Sequence, residues 1–150
     1  MKLAEALLLR ADLQKRIEQI ESRLLRNAKV QEGETPAEDP HALLAELSDL
    51  VRQLETLMRR INETNAALTD AGETMTALLA RRDCLRLYVQ TLRRFCAEAS
   101  ATVMRGTRSE VVVRSAVDVR RLQITIDDTS KELRELDLRI QGLNWTAELQ

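Results

Sequence analysis

Aromatic side chains are nearly absent from this sequence. Tyr88, Phe95 and Trp145 are the only three, 2% of 150 residues. That shortage argues against an aromatic base-stacking platform and against a tryptophan-rich membrane loop. Proline occurs twice and glycine four times. No Gly-x-x-x-x-Gly-Lys, Gly-x-Gly-x-x-Gly or Gly-x-Ser-x-Gly motif occurs, so the usual phosphate loops and nucleophile elbow are missing. His41 is the sole histidine, and Cys84 and Cys96 are the only cysteines. One His with two distant thiols makes a poor zinc site. The hydroxyl side chains have no second histidine to activate them. No run approaches the roughly 18 apolar residues of a membrane span. The apolar start MKLAEALLLRADL is interrupted by Glu5, Arg10 and Asp12, which reads as helix rather than signal peptide. These absences imply a cytoplasmic protein with no membrane contact and no cofactor.

What is present is Ala, Leu, Glu and Arg, with 31% charged residues, the composition of long helices or coiled coils. Apolar residues at steps of three and four predict four helices in one domain spanning 1–150. The first covers about 2–29, through Leu13, Ile17, Ile20 and Leu24. VQEGETPAEDP is a connection, and Asp39 with Pro40 marks the start of the second helix, 40–65. Leu43, Leu47, Leu50, Leu54, Leu57 and Ile61 form its seam, and Leu44, Val51 and Met58 form a second row beside it. So broad an apolar face implies two or more neighbours. Around Asp70-Ala71-Gly72, residues 67–75 fit either a plain loop or a very short β-hairpin. The third helix covers about 76–105, with Gly106 as its stop. The fourth covers 119–142, capped by Asp118. Cys84 and Cys96 share the third helix about 18 Å apart, too far for a disulfide, and read as small buried side chains. The fold expected is mainly α, with antiparallel coiled-coil hairpins or a bundle.

The stretch SEVVVRSAVD, with Val111, Val112, Val113 and Val117, breaks this pattern. β-Branched residues favour a strand over 109–117. A lone strand needs a partner for its backbone groups, and pairing with a neighbouring subunit is easier than pairing across the long third helix. A homo-oligomer is the expected assembly, with Val111, Val112, Val113, Val117 and Trp145 as contact candidates and an unidentified protein as the alternative partner. The competing reading is an extended linker without a ladder.

Charge is unevenly spread. Residues 1–75 carry ten basic and fourteen acidic side chains, residues 76–121 ten and four, and residues 122–150 three and six. Complementary helix flanks explain this pattern most simply. An anionic partner is the sharper alternative, with Arg81, Arg82, Arg93, Arg94, Arg114, Arg120 and Arg121 as its candidates. Nucleic acid is the less favoured partner, because base stacking wants aromatics among those arginines, and Tyr88 and Phe95 read as core beside the heptad of the third helix.

Catalytic constellations are thin. Glu38-Asp39-Pro40-His41 has the Glu-x-x-His form of di-iron bundles, but those need two such motifs and two further carboxylates. Glu18-x-x-Glu21 followed by Glu46-x-x-Asp49 resembles the carboxylate pattern of all-α nucleoside triphosphate pyrophosphohydrolases, which would imply magnesium. Helical phase puts Glu18 about 130° and Asp49 about 160° from their own apolar faces, toward solvent. The expectation is a structural or protein-interaction module without catalytic activity, with no catalytic, cofactor or metal residues.

The segments MKLAEALLLRADLQKRIEQI, RNAKVQEGETPAEDP, LARRDCLRL, VVVRSAVDV and KELRELDLRIQGLNWTAEL resemble, in this order, a family of small bacterial helical proteins often labelled septicolysin. The resemblance covers nearly the whole chain. It implies a helical fold with coiled-coil hairpins assembled as an oligomer, and no established activity, cofactor or catalytic residue. The label suggests a cholesterol-dependent pore-forming toxin, a class several times longer and rich in β-structure. A chain with one Trp and no amphipathic β-repeat does not fit that class.

Overall fold

The computed structural model describes residues 1–101 and 113–150. Among the described residues four helices and one two-stranded hairpin follow in the order α1 (Leu3–Arg26), α2 (Pro40–Ala67), β1 (Thr69–Asp70), β2 (Glu73–Thr74), α3 (Met75–Ser100) and α4 (Val119–Thr146). The chain groups into two compact units, one of Met1–Thr74 with Gly142–Gln150, the other of Met75–Gln141.

In the first unit α1 and α2 form an antiparallel pair. The heptad spacing of their sequence explains the buried column: Leu3, Ala6, Leu13 and Ile20 on α1, and Leu43, Leu50, Leu57 and Ile61 on α2, are all buried. The helix ends follow local chemistry. Lys2 N–H donates to Glu5 Oε2 at 2.7 Å, which occupies one free donor at the start of α1. Asn27 stops α1 three residues before the sequence suggests, because its side chain folds back. Its Nδ2 donates to Arg23 O at 2.9 Å, and its Oδ1 accepts from Glu38 N at 3.0 Å. Asp39 Oδ1 accepts from His41 N at 2.9 Å, with Pro40 in the first turn, as the sequence indicates.

Of the two readings for residues 67–75, the hairpin is the one observed. Thr69 pairs with Thr74 and Asp70 with Glu73. The two loop residues both have positive φ, Ala71 at 48° and Gly72 at 84°, as a type I′ turn requires. Gly72 takes this conformation freely, whereas Ala71 pays for its Cβ. Ala71→Asn is expected to raise stability by about 0.5–1 kcal/mol, since Asn tolerates this region. A thermal melt of the variant beside wild type measures it, and an unchanged or lower midpoint contradicts it.

In the second unit α3 runs antiparallel to α4. Arg93 donates to Ser130 Oγ at 3.2 Å, and seven residues earlier Arg86 meets Asp137 at 3.7 Å. Val89 and Cys96 on α3, and Ile126, Leu136 and Ile140 on α4, are buried. Asp118 Oδ1 caps α4 through Arg121 N at 3.1 Å. The helix continues past Gly142 to Thr146, four residues beyond the expected end.

The strand expected over 109–117 is not observed in its described part. Val113 to Val117 have no strand pairing. Ser115 gives the physical reason: its Oγ donates to Val117 O at 2.9 Å and accepts from Val117 N at 3.4 Å. That local turn withdraws the backbone groups a ladder would use. Ser109–Val112, and the expected end of the third helix at Arg105–Gly106, lie outside the described residues.

Candidate interaction surfaces

Two polar junctions fix the first unit. The first joins the two ends of the chain. Leu3 N–H donates to Ala147 O at 3.0 Å and Leu149 N–H to Met1 O at 2.9 Å, an antiparallel bridge centred on Lys2 and Glu148. Lys2 Nζ lies 2.7 Å from Glu148 Oε1, and the Met1 ammonium 3.2 Å from Oε2. The hydrogen bond from Lys2, reinforced by the ammonium, holds the Glu148 carboxyl below its ordinary range, against a smaller opposing effect of desolvation. Buried Thr64 completes the junction, accepting from Gln150 N at 3.0 Å and donating to Arg60 O at 2.8 Å. Lys2 Nζ also donates to Thr146 O at 2.9 Å.

The second junction anchors the α1–α2 connection. Arg23 grips Glu38 through Nε, 3.1 Å from both carboxylate oxygens, and through Nη2. The hydrogen bond lowers the Glu38 pKa and raises that of Arg23. Arg23 also reaches Glu46 at 3.8 Å. Both junctions are partly solvated, so they set geometry more than stability.

Three hollows are open rather than enclosed. Met1, Leu9, Leu13, Gln53, Leu57 and Arg60 help line one of about 410 Å³ between α1 and α2. Thr64, Leu68 and Glu148 border another of about 340 Å³. Arg93, Cys96, Ser100 and Asp127 border a third of about 390 Å³ between α3 and α4. None brings together a nucleophile, a base and an orienting group.

The distinctive surface is apolar. On α2, Leu43, Leu50 and Leu57 are 2–6% exposed, yet the adjacent Leu44, Val51 and Met58 are 41–51% exposed. The second row seen in the sequence is real, but no helix of the first unit covers it. On α3 two rings stand seven residues apart, Tyr88 and Phe95, with Arg81 at the preceding position of that spacing. Tyr88 and Phe95 are about half exposed, and Leu87 stands beside Tyr88. The sequence treats these rings as core, and that expectation is corrected here: helical phase puts them on the flank of the Val89–Cys96 column. Cys84 lies on the same flank and is exposed, whereas Cys96 is buried. The expectation of two buried thiols therefore holds only for Cys96.

The other candidates scatter. Val113 and Trp145 are exposed and Val117 is half-buried, while Val111 and Val112 lie outside the described residues. Among the arginines, Arg82 pairs with Asp83 at 2.8 Å and Arg93 with Ser130. Arg81, Arg94, Arg114, Arg120 and Arg121 are exposed. Glu18, Glu21, Glu46 and Asp49 all face solvent, with Glu46 paired to Arg23 and Asp49 to Arg52. His41 is exposed in the first turn of α2. Among the described residues no three His, Cys, Asp or Glu side chains converge on a metal position. No helix among them is long and apolar enough to cross a membrane.

Helices with heptad-spaced cores, one small hairpin and apolar rows on the surface define a mainly α protein. The chain belongs to a family of unknown function (DUF6847), whose model matches residues 10–149. It is also similar to a functionally unknown conserved protein from Corynebacterium diphtheriae, known from a crystal structure. The two are 39% identical, with a TM-score of 0.93, over 100% of this chain and 99% of that one. No curated protein matches the chain at a significant level. Neither similarity carries the septicolysin name, and what they support is a family without an assigned activity.

Proposed function

We propose that this protein is a non-catalytic interaction module, cytoplasmic, whose main partner is another copy of itself. The observation that carries this reading is the row Leu44, Val51 and Met58, left 41–51% exposed at heptad spacing beside a buried seam. Scattered apolar residues on a surface are ordinary, but a contiguous row signals a partner. Light scattering on the full chain tests the reading. The expected mass is a multiple of 17.1 kDa, and a monomer at micromolar concentration refutes it.

An anionic partner is the second reading. Arg120 and Arg121 occupy the first turn of α4, which holds no acidic residue. Cations there oppose the helix dipole, so helix stability does not account for them. Binding of DNA, RNA or polyphosphate at two salt concentrations tests it, and no binding at low salt ends it.

A further inference from the structure

We infer that the hollow between α1 and α2 is a binding site for a small organic anion with an aliphatic body, of the medium-chain carboxylate class. Every residue that lines it belongs to the first unit, and the site is independent of the self-assembly reading above. Its volume, about 410 Å³, falls within the range of small-molecule sites.

The two walls of the hollow differ in kind. Met1, Leu9 and Leu13 form one side, and Gln53, Thr56 and Arg60 belong to the other. Leu13 is buried, whereas Leu9 and Met1 are 42% and 49% exposed. Helical phase gives the reason. Gln53, Thr56 and Arg60 lie between about 140° and 200° from Val51 around α2, on the flank away from the Leu44–Val51–Met58 row. Apolar side chains at the start of the chain therefore stand across from polar ones, and the helix pair leaves them half covered. An aliphatic body laid against Leu9 and Met1 takes that surface out of water. The polar wall also carries charge. Arg52, at its edge, is paired with Asp49. Arg60 donates through Nε to Gln150 O at 2.6 Å and pairs with no Asp or Glu among the described residues. That bond orients the guanidinium without an acidic side chain to neutralise it, and leaves its Nη groups as donors. A carboxylate matches them in charge and in geometry, and Gln53 and Thr56 supply further polar groups for its oxygens.

Methyl NMR of the full chain, titrated with sodium octanoate and separately with neutral 1-octanol, tests the site. Octanoate is expected to give saturable shifts at the Met1, Leu9 and Leu13 methyl groups, with a dissociation constant of about 1 mM or tighter. Arg60→Gln is expected to weaken octanoate about tenfold and to leave 1-octanol unchanged, while Arg60→Lys stays within about threefold of wild type for octanoate. Leu9→Gln is expected to weaken both ligands. Circular dichroism checks that each variant stays helical. Absence of saturable shifts up to about 10 mM octanoate overturns the site. Shifts confined to Leu44, Val51 and Met58 overturn it too, because the ligand then lies on the apolar row at the other flank of α2. Equal weakening of both ligands by Arg60→Gln, without rescue by Arg60→Lys, gives Arg60 a structural role only and overturns the assignment of an anion.

Discussion

Leu50→Ala is expected to destabilise the protein by about 2–5 kcal/mol, read as a lowered urea midpoint at fixed protein concentration. Leu50 is 2% exposed in the middle of the α2 seam. Full burial of a leucine contributes about 1.5–3 kcal/mol by transfer alone, and truncation leaves a cavity that adds to the loss. Two packed helices have few layers through which to collapse around it, so the upper half of the range is expected. The neighbouring Val51 supplies the contrast. At 46% exposure, Val51→Ala should change the folding stability of a single chain by only about 0.5 kcal/mol. If the two substitutions cost the same, the described seam is wrong: either α2 is rotated, or Val51 is buried as deeply as Leu50.

That contrast shows how far the sequence carries the fold. Steps of three and four along Leu43, Leu47, Leu50, Leu54, Leu57 and Ile61 identify the seam because burial in a helix repeats with its turn. The cap at Asp39-Pro40 and the turn at Ala71-Gly72 are local, and local chemistry was enough to find them. The end of α4 was not legible. Gly142 suggests a stop by propensity, but what continues the helix is distant: Lys2 Nζ holds Thr146 O, and Leu3 holds Ala147. Tertiary contacts override propensity in such cases. The pairing of Lys2 with Glu148 has no sequence signal, since nothing local links residues at opposite ends of a chain. At Val117 the backbone N–H and C=O are engaged by the Ser115 hydroxyl, a local contact that the valine pattern does not announce. The candidate surface was half legible. The α2 row could be read as apolar, but not whether a neighbouring helix covers it. Tyr88 and Phe95 read as core because they border the heptad of α3, yet helical phase leaves them half exposed one flank over.

The double variant Leu44→Lys/Met58→Lys is expected to raise the dissociation constant of the assembly by about 100-fold or more, equivalent to about 2.7 kcal/mol, while leaving the helices folded. Both positions tolerate a lysine in the single chain, being 51% and 41% exposed, and a lysine stem can lie along an apolar face with its ammonium in water. In the assembly the same ammonium groups meet the partner's apolar row without counter-charges, and burying an unpaired cation costs more than the lost apolar contact. Light scattering across a dilution series, with circular dichroism as the check on folding, separates the outcomes. A folded variant with an unchanged dissociation constant removes α2 from the interface, and the Trp145 and Val113 surfaces become the places where assembly would have to occur.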